Sequence, residues 1–323
     1  MEEIEKGTAV PMLISIIIPY YNREQFIEKT LLTVLAQTYR PLELVLVDNN
    51  STDGSANICR TFADSHKSPD FSIILTEENE KGATAARNKG FSLAQGEWVY
   101  FFDSDDEMSP NYISDLSRII KNGNVDMVCN RTLMIMPNGT QKIRYSRYSE
   151  SAGLHIISAM LSTQSMAFSK KWLAGIGGWD ERLACWNDWE LGTRALLSKP
   201  RVAWLKGTVY HRILRHAKSI SGNSYSHRKH SILDAIEKVK SDITAYGMKK
   251  EMWALALKTS FTAGRLGYEG DAYGERILLD EAYNIVRDSS LHLKRLRIFA
   301  IKALDIYTKC GGRGAWALAI LIY

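Results

Sequence analysis

Three carboxylates, Asp103, Asp105 and Asp106, crowd the end of the apolar run in "WVYFFDSDDEMSP", residues 98–110. Like charges packed this closely at the mouth of a core are costly unless a cation or hydrogen-bond donors compensate them, and the stretch itself carries no Lys or Arg. A hard divalent ion is one such compensation. Mg2+ or Mn2+ takes one or two carboxylates and completes its shell with phosphate oxygens, and the Asp103, Ser104, Asp105 alternation lets two side chains point the same way. The other reading is an acidic turn that caps a helix after Pro110.

A second carboxylate, Asp188, stands between Trp186 and Trp189 in "CWNDWEL". Flanking indoles withdraw water from a carboxylate and favour its use as a base, whereas the structural alternative is an acid at a helix N-terminus. Glu190 is the local competitor, but two residues along a helix it faces another way. "KGTVYHRILRHAKSISGNSYSHRKH", residues 206–230, holds six Lys or Arg and four His with no acid, which makes either an anion field or a solvated basic loop.

These groups need elements to position them. "LISIIIPYYN" is a β-branched run followed by the helical spacing of Phe26, Leu31, Leu32, Leu35 and Tyr39. "LELVLVDNNSTDGS" repeats the plan, with Asp53 or Ser51 able to cap the next helix; "FSIIL" with "ATAARNKGFSLAQG" is a third round and "EWVYFFD" the fourth strand. Such alternation predicts an α/β fold with a mainly parallel central sheet flanked by helices, its ligand site beyond the carboxyl ends of the strands, where Asp48 and Asp103 fall. The pattern turns mixed after Tyr112 and mostly helical after about Tyr225. The expected division is therefore a tail over 1–12, a domain over 13–225 and a helical C-terminal extension over 226–323.

Composition narrows the class. With 45% hydrophobic and 24% charged residues and a formal charge of +5, the chain reads as an ordinary soluble protein that tolerates anions without pointing to nucleic acid. The four cysteines are scattered, which fits reduced thiols in the cytoplasm. The opening "MEEIEKGTAVPM" lacks the basic and apolar regions of a signal peptide, and no apolar run is long enough to span a bilayer.

"SIIIPYYNR", "LVDNNSTDGS", "GATAARNKGF" and "FFDSDD", in that order, resemble family 2 glycosyltransferases of the GT-A fold. "GIGGWDERL", "WNDWELGTRAL" and "RHAKSIS" resemble the later blocks, so the resemblance covers about residues 13–221. It implies an inverting, metal-dependent transfer from a nucleotide-diphosphate sugar, UDP by family habit, to a glycan or lipid-linked acceptor, as in polysaccharide biosynthesis. Pro19, Tyr21 and Asp48 would surround the base, with Lys81 and Gly82 nearby; Asp103 and Ser104 would lie on the ribose side, and Asp105 would hold Mn2+ or Mg2+. Elementary chemistry agrees: a ring face stacks, a carboxylate reads an N–H donor, and glycine admits close approach. Asp188 matches the general base, although Asn187 replaces a common Glu. Trp186, Trp189, Arg215 and Ser219 would lie on the acceptor or phosphate side. His216 would approach the metal, and Arg215 or Lys218 the phosphates, with Ser219 and Ser221 near the diphosphate, although Leu214 replaces the usual Arg. Arg87 either touches donor phosphate or pairs with carboxylates inside the domain.

Two other classes compete. A sugar nucleotidyltransferase needs a glycine-rich phosphate loop after the first strand, and "PYYNREQF" has no glycine. A degenerate sugar-nucleotide sensor or membrane-associated scaffold would have lost its carboxylates, which are present. Finally, "LHLKRLRIFAIKALDIYTK" gathers Leu293, Leu296, Phe299, Ala300, Ala303, Leu304 and Tyr307 on one face with mostly basic residues opposite. With the apolar "AWALAILIY" it predicts docking on the core, on a partner, or peripherally on the inner face of the membrane.

Overall fold

A computed structural model describes residues 11–144, 148–206, 210–214, 224–288 and 292–323. Three βα rounds open the chain: β1 (Ile14–Tyr20), α1 (Ile27–Leu35), β2 (Leu42–Asp48), α2 (Ser55–His66), β3 (Phe71–Glu77) and α3 (Ala83–Leu93), leading into β4 (Trp98–Phe101). Every residue of β1, β2 and β4 is buried, as expected of interior strands covered on both faces. Helix α3 presses closely on β1 at Gly90, where a Cβ would come within 2.4 Å of Ile17 Cγ2. α2 starts at Ser55 with Gly54 as its N-cap residue, and of the two expected cappers Asp53 accepts from the Ser55 amide at 3.0 Å through Oδ1.

The middle of the chain adds β5 (Glu107–Met108), α4 (Tyr112–Asn122), β6 (Met127–Asn130), β7 (Thr132–Ile135), β8 (Gln141–Arg144), α5 (Ala152–Ser158), β9 (Met166–Ser169), α6 (Lys170–Gly175), α7 (Asn187–Leu197), β10 (Val202–Leu205) and β11 (His211–Leu214). The main sheet has the order β10-β6-β9-β4-β1-β2-β3, and β9 alone among these strands runs antiparallel to its neighbours. A smaller sheet, β5-β11-β7-β8, lies beside the end of β4. Register aligns Tyr20 with Asp48 and Asp48 with Glu77, so the first three strands finish level and their following loops form one rim.

Helices complete the chain: α8 (Lys229–Ala245), α9 (Glu251–Tyr268), α10 (Ala272–Asp288), α11 (Lys294–Lys309) and α12 (Ala315–Ile322). They share apolar packing with the sheet, since one cluster runs from Ile17, Val47 and Phe101 through Ile156, Trp189 and Leu196 to Val239, Leu257 and Ala319. The opposite face has its own core, with Ile16, Ile18, Leu44, Tyr100 and Tyr112. A buried charge cluster joins α7 to α8: Glu190 accepts from Arg194 Nε at 2.6 Å and Lys238 Nζ at 3.2 Å, and Lys238 also reaches Asp242. Cys59, Cys129 and Cys185 are buried free thiols, and Cys310 is exposed.

Candidate active site

The acidic cluster follows β4, and cations distant in sequence meet it. Asp103 Oδ1 accepts from Arg87 Nη2 at 2.9 Å, and its Oδ2 from Gln164 Nε2 at 2.5 Å. The same Gln164 nitrogen donates to Asp106 Oδ2 at 2.5 Å, while the Leu214 amide donates to Asp106 Oδ1 at 2.9 Å. Arg23 Nε lies 3.4 Å from Asp105 Oδ2. Burial first, and then the charges of Asp103 and Asp105, push the Asp106 carboxyl well above the ordinary carboxylate range. Ser104, between them, is buried.

Two expectations change here. The acids do not cap the helix after Pro110, because α4 begins at Tyr112 with Asn111 before it and no side-chain cap. Their compensation also comes partly from Arg23, Arg87 and Gln164, which the fold imports from β1's following loop, α3 and the turn before β9. Of the two readings of Arg87, the structure shows the pairing with a carboxylate inside the domain.

Among the described residues, no three His, Cys, Asp or Glu side chains assemble into a cage that would hold a metal. The donor set suits a different arrangement. Asp103 and Asp105 keep part of their surface open, although Arg23 already pairs with Asp105. Hard-oxygen donors of this kind fit an ion that takes one or two carboxylates and leaves its other positions to phosphate and water. Of the residues expected near the phosphates, Arg215, His216, Lys218, Ser219 and Ser221 lie outside the described residues.

On the rim of β1–β3, Pro19 pairs in register with Val47, and Tyr21 stands 54% exposed just past the strand with its ring open to solvent. Asp48 is buried and its Oδ1 accepts from the Ser51 amide at 2.9 Å. Next to it, Asn49 clamps the loop after β3. Its Nδ2 donates to the carbonyls of Glu78 and Glu80, and its Oδ1 accepts from the Gly82 amide at 2.9 Å. This ties the segment of exposed Lys81 and half-buried Gly82 to the residue that follows Asp48. Gly82 has φ of 139°, a conformation that favours glycine, at the start of α3.

Asp188 lies in the first turn of α7, half-buried, with Oδ1 accepting from the Trp189 amide at 2.9 Å. Trp186, just before the helix, has φ of 57° and meets Trp189 edge to face with centroids 5.1 Å apart. The two indoles differ in availability. Trp189 is buried and its Nε1 donates to the Ile156 carbonyl, which commits it to the packing of α5 on α7. Trp186 is half-buried, with Lys258 Nζ of α9 lying 4.8 Å from its ring centroid. Glu190 is fully buried against Arg194 and Lys238, facing away from Asp188's side as its helical position requires.

Arg87 ties the two regions together: Nη2 holds Asp103, Nη1 lies 3.4 Å from Asn187 Oδ1, and the guanidinium stacks 4.5 Å over Trp179. Sequence reasoning left out Gln164, Arg23 and Asn49 as site residues. Arg23 carried a usable signal, a lone cation directly after the first strand, whereas nothing in "STQSMAF" marks Gln164.

The family model for glycosyl transferase family 2 matches residues 15–180. Glycosyltransferase GlyG of Streptococcus pneumoniae is 37% identical over 116 residues, which is 36% of this chain and 38% of that protein. The Escherichia coli enzyme WfgD, a UDP-Glc:alpha-D-GlcNAc-diphosphoundecaprenol beta-1,3-glucosyltransferase, is 33% identical over 156 residues, 46% of this chain and 60% of that one. The matches thus span less than two thirds of these relatives. In three dimensions, Staphylococcus aureus TarS in complex with UDP-GlcNAc superposes with a TM-score of 0.72 at 16% identity, covering 95% of this chain and 90% of that chain. A mannosyltransferase from Pyrobaculum calidifontis, in complex with GDP-Man and Mn2+, gives 0.56 at 18% identity over 97% and 87%.

Proposed function

The chain belongs to glycosyl transferase family 2, a glycosyltransferase with the GT-A fold and a nucleotide-sugar donor, and from that premise we propose inverting transfer of a UDP-linked sugar to an acceptor hydroxyl. The acceptor class we propose is a glycan or a lipid-linked saccharide, the latter supported by the diphosphoundecaprenol acceptor in WfgD's name, in a step of polysaccharide biosynthesis.

Tyr21 offers an open ring face for the base, Asp48 an acceptor for a ring N–H, and Lys81 with Gly82 a cation and close backbone approach. Asp103, just past the end of β4 and beside buried Ser104, would meet the ribose of the donor. Asp105 would hold Mn2+ or Mg2+, which when bound neutralises charge building on the departing diphosphate. Asp188 takes the proton from the acceptor hydroxyl as its oxygen bonds to the anomeric carbon. The bond from that carbon to the diphosphate oxygen breaks on the opposite side, its electron pair leaving with the nucleotide, so configuration inverts. The observation that carries this reading is Arg87, whose contacts with Asp103 and Asn187 join the donor-side acids to the helix bearing Asp188.

The test is a panel of nucleotide sugars assayed for donor turnover with Mn2+ and again after chelation, with the anomeric configuration of any product read by NMR. Metal-dependent turnover of a UDP-sugar with inverted product is expected. A product of retained configuration, or full turnover after chelation, would overturn the assignment of Asp188 or of Asp105 respectively.

A further inference from the structure

The apolar face of α11 is left open. Packing against α9 uses Ile301, Leu304 and Thr308, with Ser260 Oγ of α9 donating to the Ile301 carbonyl at 2.7 Å. Leu296 and Phe299 are 62% and 69% exposed, and they lead along the helix to Ala303 and Tyr307. α12 contributes the facing wall with Leu318, Leu321 at 81% exposed, and Ile322, and Trp253 of α9 reaches the groove from below. The groove encloses about 760 Å³. It is held by the core rather than by a loop, because α12 is anchored where Trp253 Nε1 donates to the Ile322 carbonyl.

The two helices that wall the groove carry mostly positive charge, with Glu251 of α9 acting on Tyr323 at its edge. Residues 292–323 carry six Lys or Arg and a single acid, Asp305, which is buried away from this face. Arg295 and Lys302 stand four residues before and three after Phe299, so their exposed cations flank its ring on the helix surface. Arg297 lines the groove with its guanidinium 4.7 Å over the Trp253 ring, and its Nη1 is buried without a hydrogen-bond partner. A large exposed apolar surface rimmed by cations is complementary to acyl chains beneath anionic phosphate headgroups.

We propose that the α11–α12 groove docks the protein on an anionic lipid surface, Phe299, Leu296 and Leu321 entering the acyl boundary while the exposed Arg295 and Lys302 meet lipid phosphates. Among the described residues no helix is long and apolar enough to cross a membrane, so this contact is peripheral. It goes beyond the transfer reaction and depends only on the geometry of the C-terminal helices.

The experiment is co-sedimentation of the full chain with vesicles of phosphatidylcholine alone and of phosphatidylcholine containing about one third phosphatidylglycerol. Binding to the anionic vesicles is expected, weakened by salt. Loss of each of Arg295 and Lys302 to Ala should weaken it about five-fold, and Phe299→Glu with Leu321→Glu by about ten-fold or more. Both apolar positions are exposed, so a thermal melt of that variant should match the unmodified chain. Failure of the folded chain to bind anionic vesicles overturns the proposal, as does undiminished binding by the double Glu variant. A dimer that the Glu substitutions dissolve, without vesicle binding, overturns it in favour of a second copy. Donor turnover measured on the same preparation keeps the two questions apart, since vesicle binding decides docking whether or not turnover is found.

Discussion

Asp103 and Asp106 share one amide nitrogen of Gln164, and that sharing holds the acidic cluster in place. We propose that Asp106 supports its neighbours. It is 2% exposed, its oxygens are taken by Gln164 and the Leu214 amide, and burial disfavours its charge. Replacing Gln164 by Leu would leave both carboxylates short of a buried donor, at a cost of about 1–3 kcal/mol. Thermal or urea unfolding should register that loss, together with weaker donor binding; unchanged stability and affinity would show that the two acids are held by other means. Asp188 belongs to a different category because its removal should leave the fold and the donor site alone. Asp188→Asn keeps shape while deleting basicity, so turnover should drop by roughly 10² to 10⁴-fold with donor affinity nearly unchanged. Steady-state kinetics beside a direct nucleotide titration separates the two. Near-normal turnover would remove Asp188 from the role, and buried Glu190, engaged with Arg194 and Lys238, offers no ready substitute.

At the scale of elements, α11 presents opposite faces to opposite environments, and its inner face contains a titrating group. Asp305 is buried where α11 meets α9 and α10, and its Oδ1 lacks a hydrogen-bond partner. Burial first, then the Glu275 charge of α10, push its carboxyl up from 3.8 to about 6, while Lys309 of α11 pulls the other way. A folded-state value above the unfolded one means the native protein retains a proton that the unfolded chain has released. The stabilisation is therefore complete below about pH 4 and is lost as pH rises to about 6. Asp305→Asn should remove this dependence and stabilise the protein at neutral pH by on the order of 2 kcal/mol. Unfolding free energies across that range would show it; parallel pH profiles for the two proteins would mean the carboxyl is better solvated than its position implies.

For the whole molecule, the continuity of apolar packing between sheet and C-terminal helices is the dominant fact. Trp189 of α7 packs on α5, Lys258 of α9 lies over Trp186, and Glu190 of α7 pairs with Lys238 of α8, so the segment bearing Asp188 is supported from both sides of residue 225. We propose that the helices after 225 form an extension that completes the catalytic domain. A chain truncated before α8 would expose Trp189's neighbourhood and leave the buried Glu190–Arg194 pair without Lys238. It should fail to accumulate as folded protein, and the full chain should melt in one transition with near- and far-ultraviolet circular dichroism coincident. Two resolved transitions, or a stable truncated domain, would contradict this.

Periodicity and composition alone determined the alternating strands and helices, the mainly parallel sheet, the position of Asp48 and Asp103 at strand ends, and the helical character of the last third. These are properties of a segment and its own side chains, so a single pass along the chain carries them. The four ordered blocks from "SIIIPYYNR" to "FFDSDD" carried the family as well. Tertiary structure decided which partners meet. Arg23, Arg87 and Gln164 reach the acids across separations of 82, 16 and 61 positions, counting from Asp105 for the first and from Asp103 for the others. Likewise Asn49 holds Gly82 from another strand's end. The same limit explains α11: a helical period shows that Leu296, Phe299, Ala303 and Tyr307 share a face, but only the placement of α9 and α12 decides that this face stays open while Ile301 and Thr308 are covered. Local pattern sets which side chains point together. What they point at depends on chain segments whose spacing in sequence carries no information about their spacing in the fold.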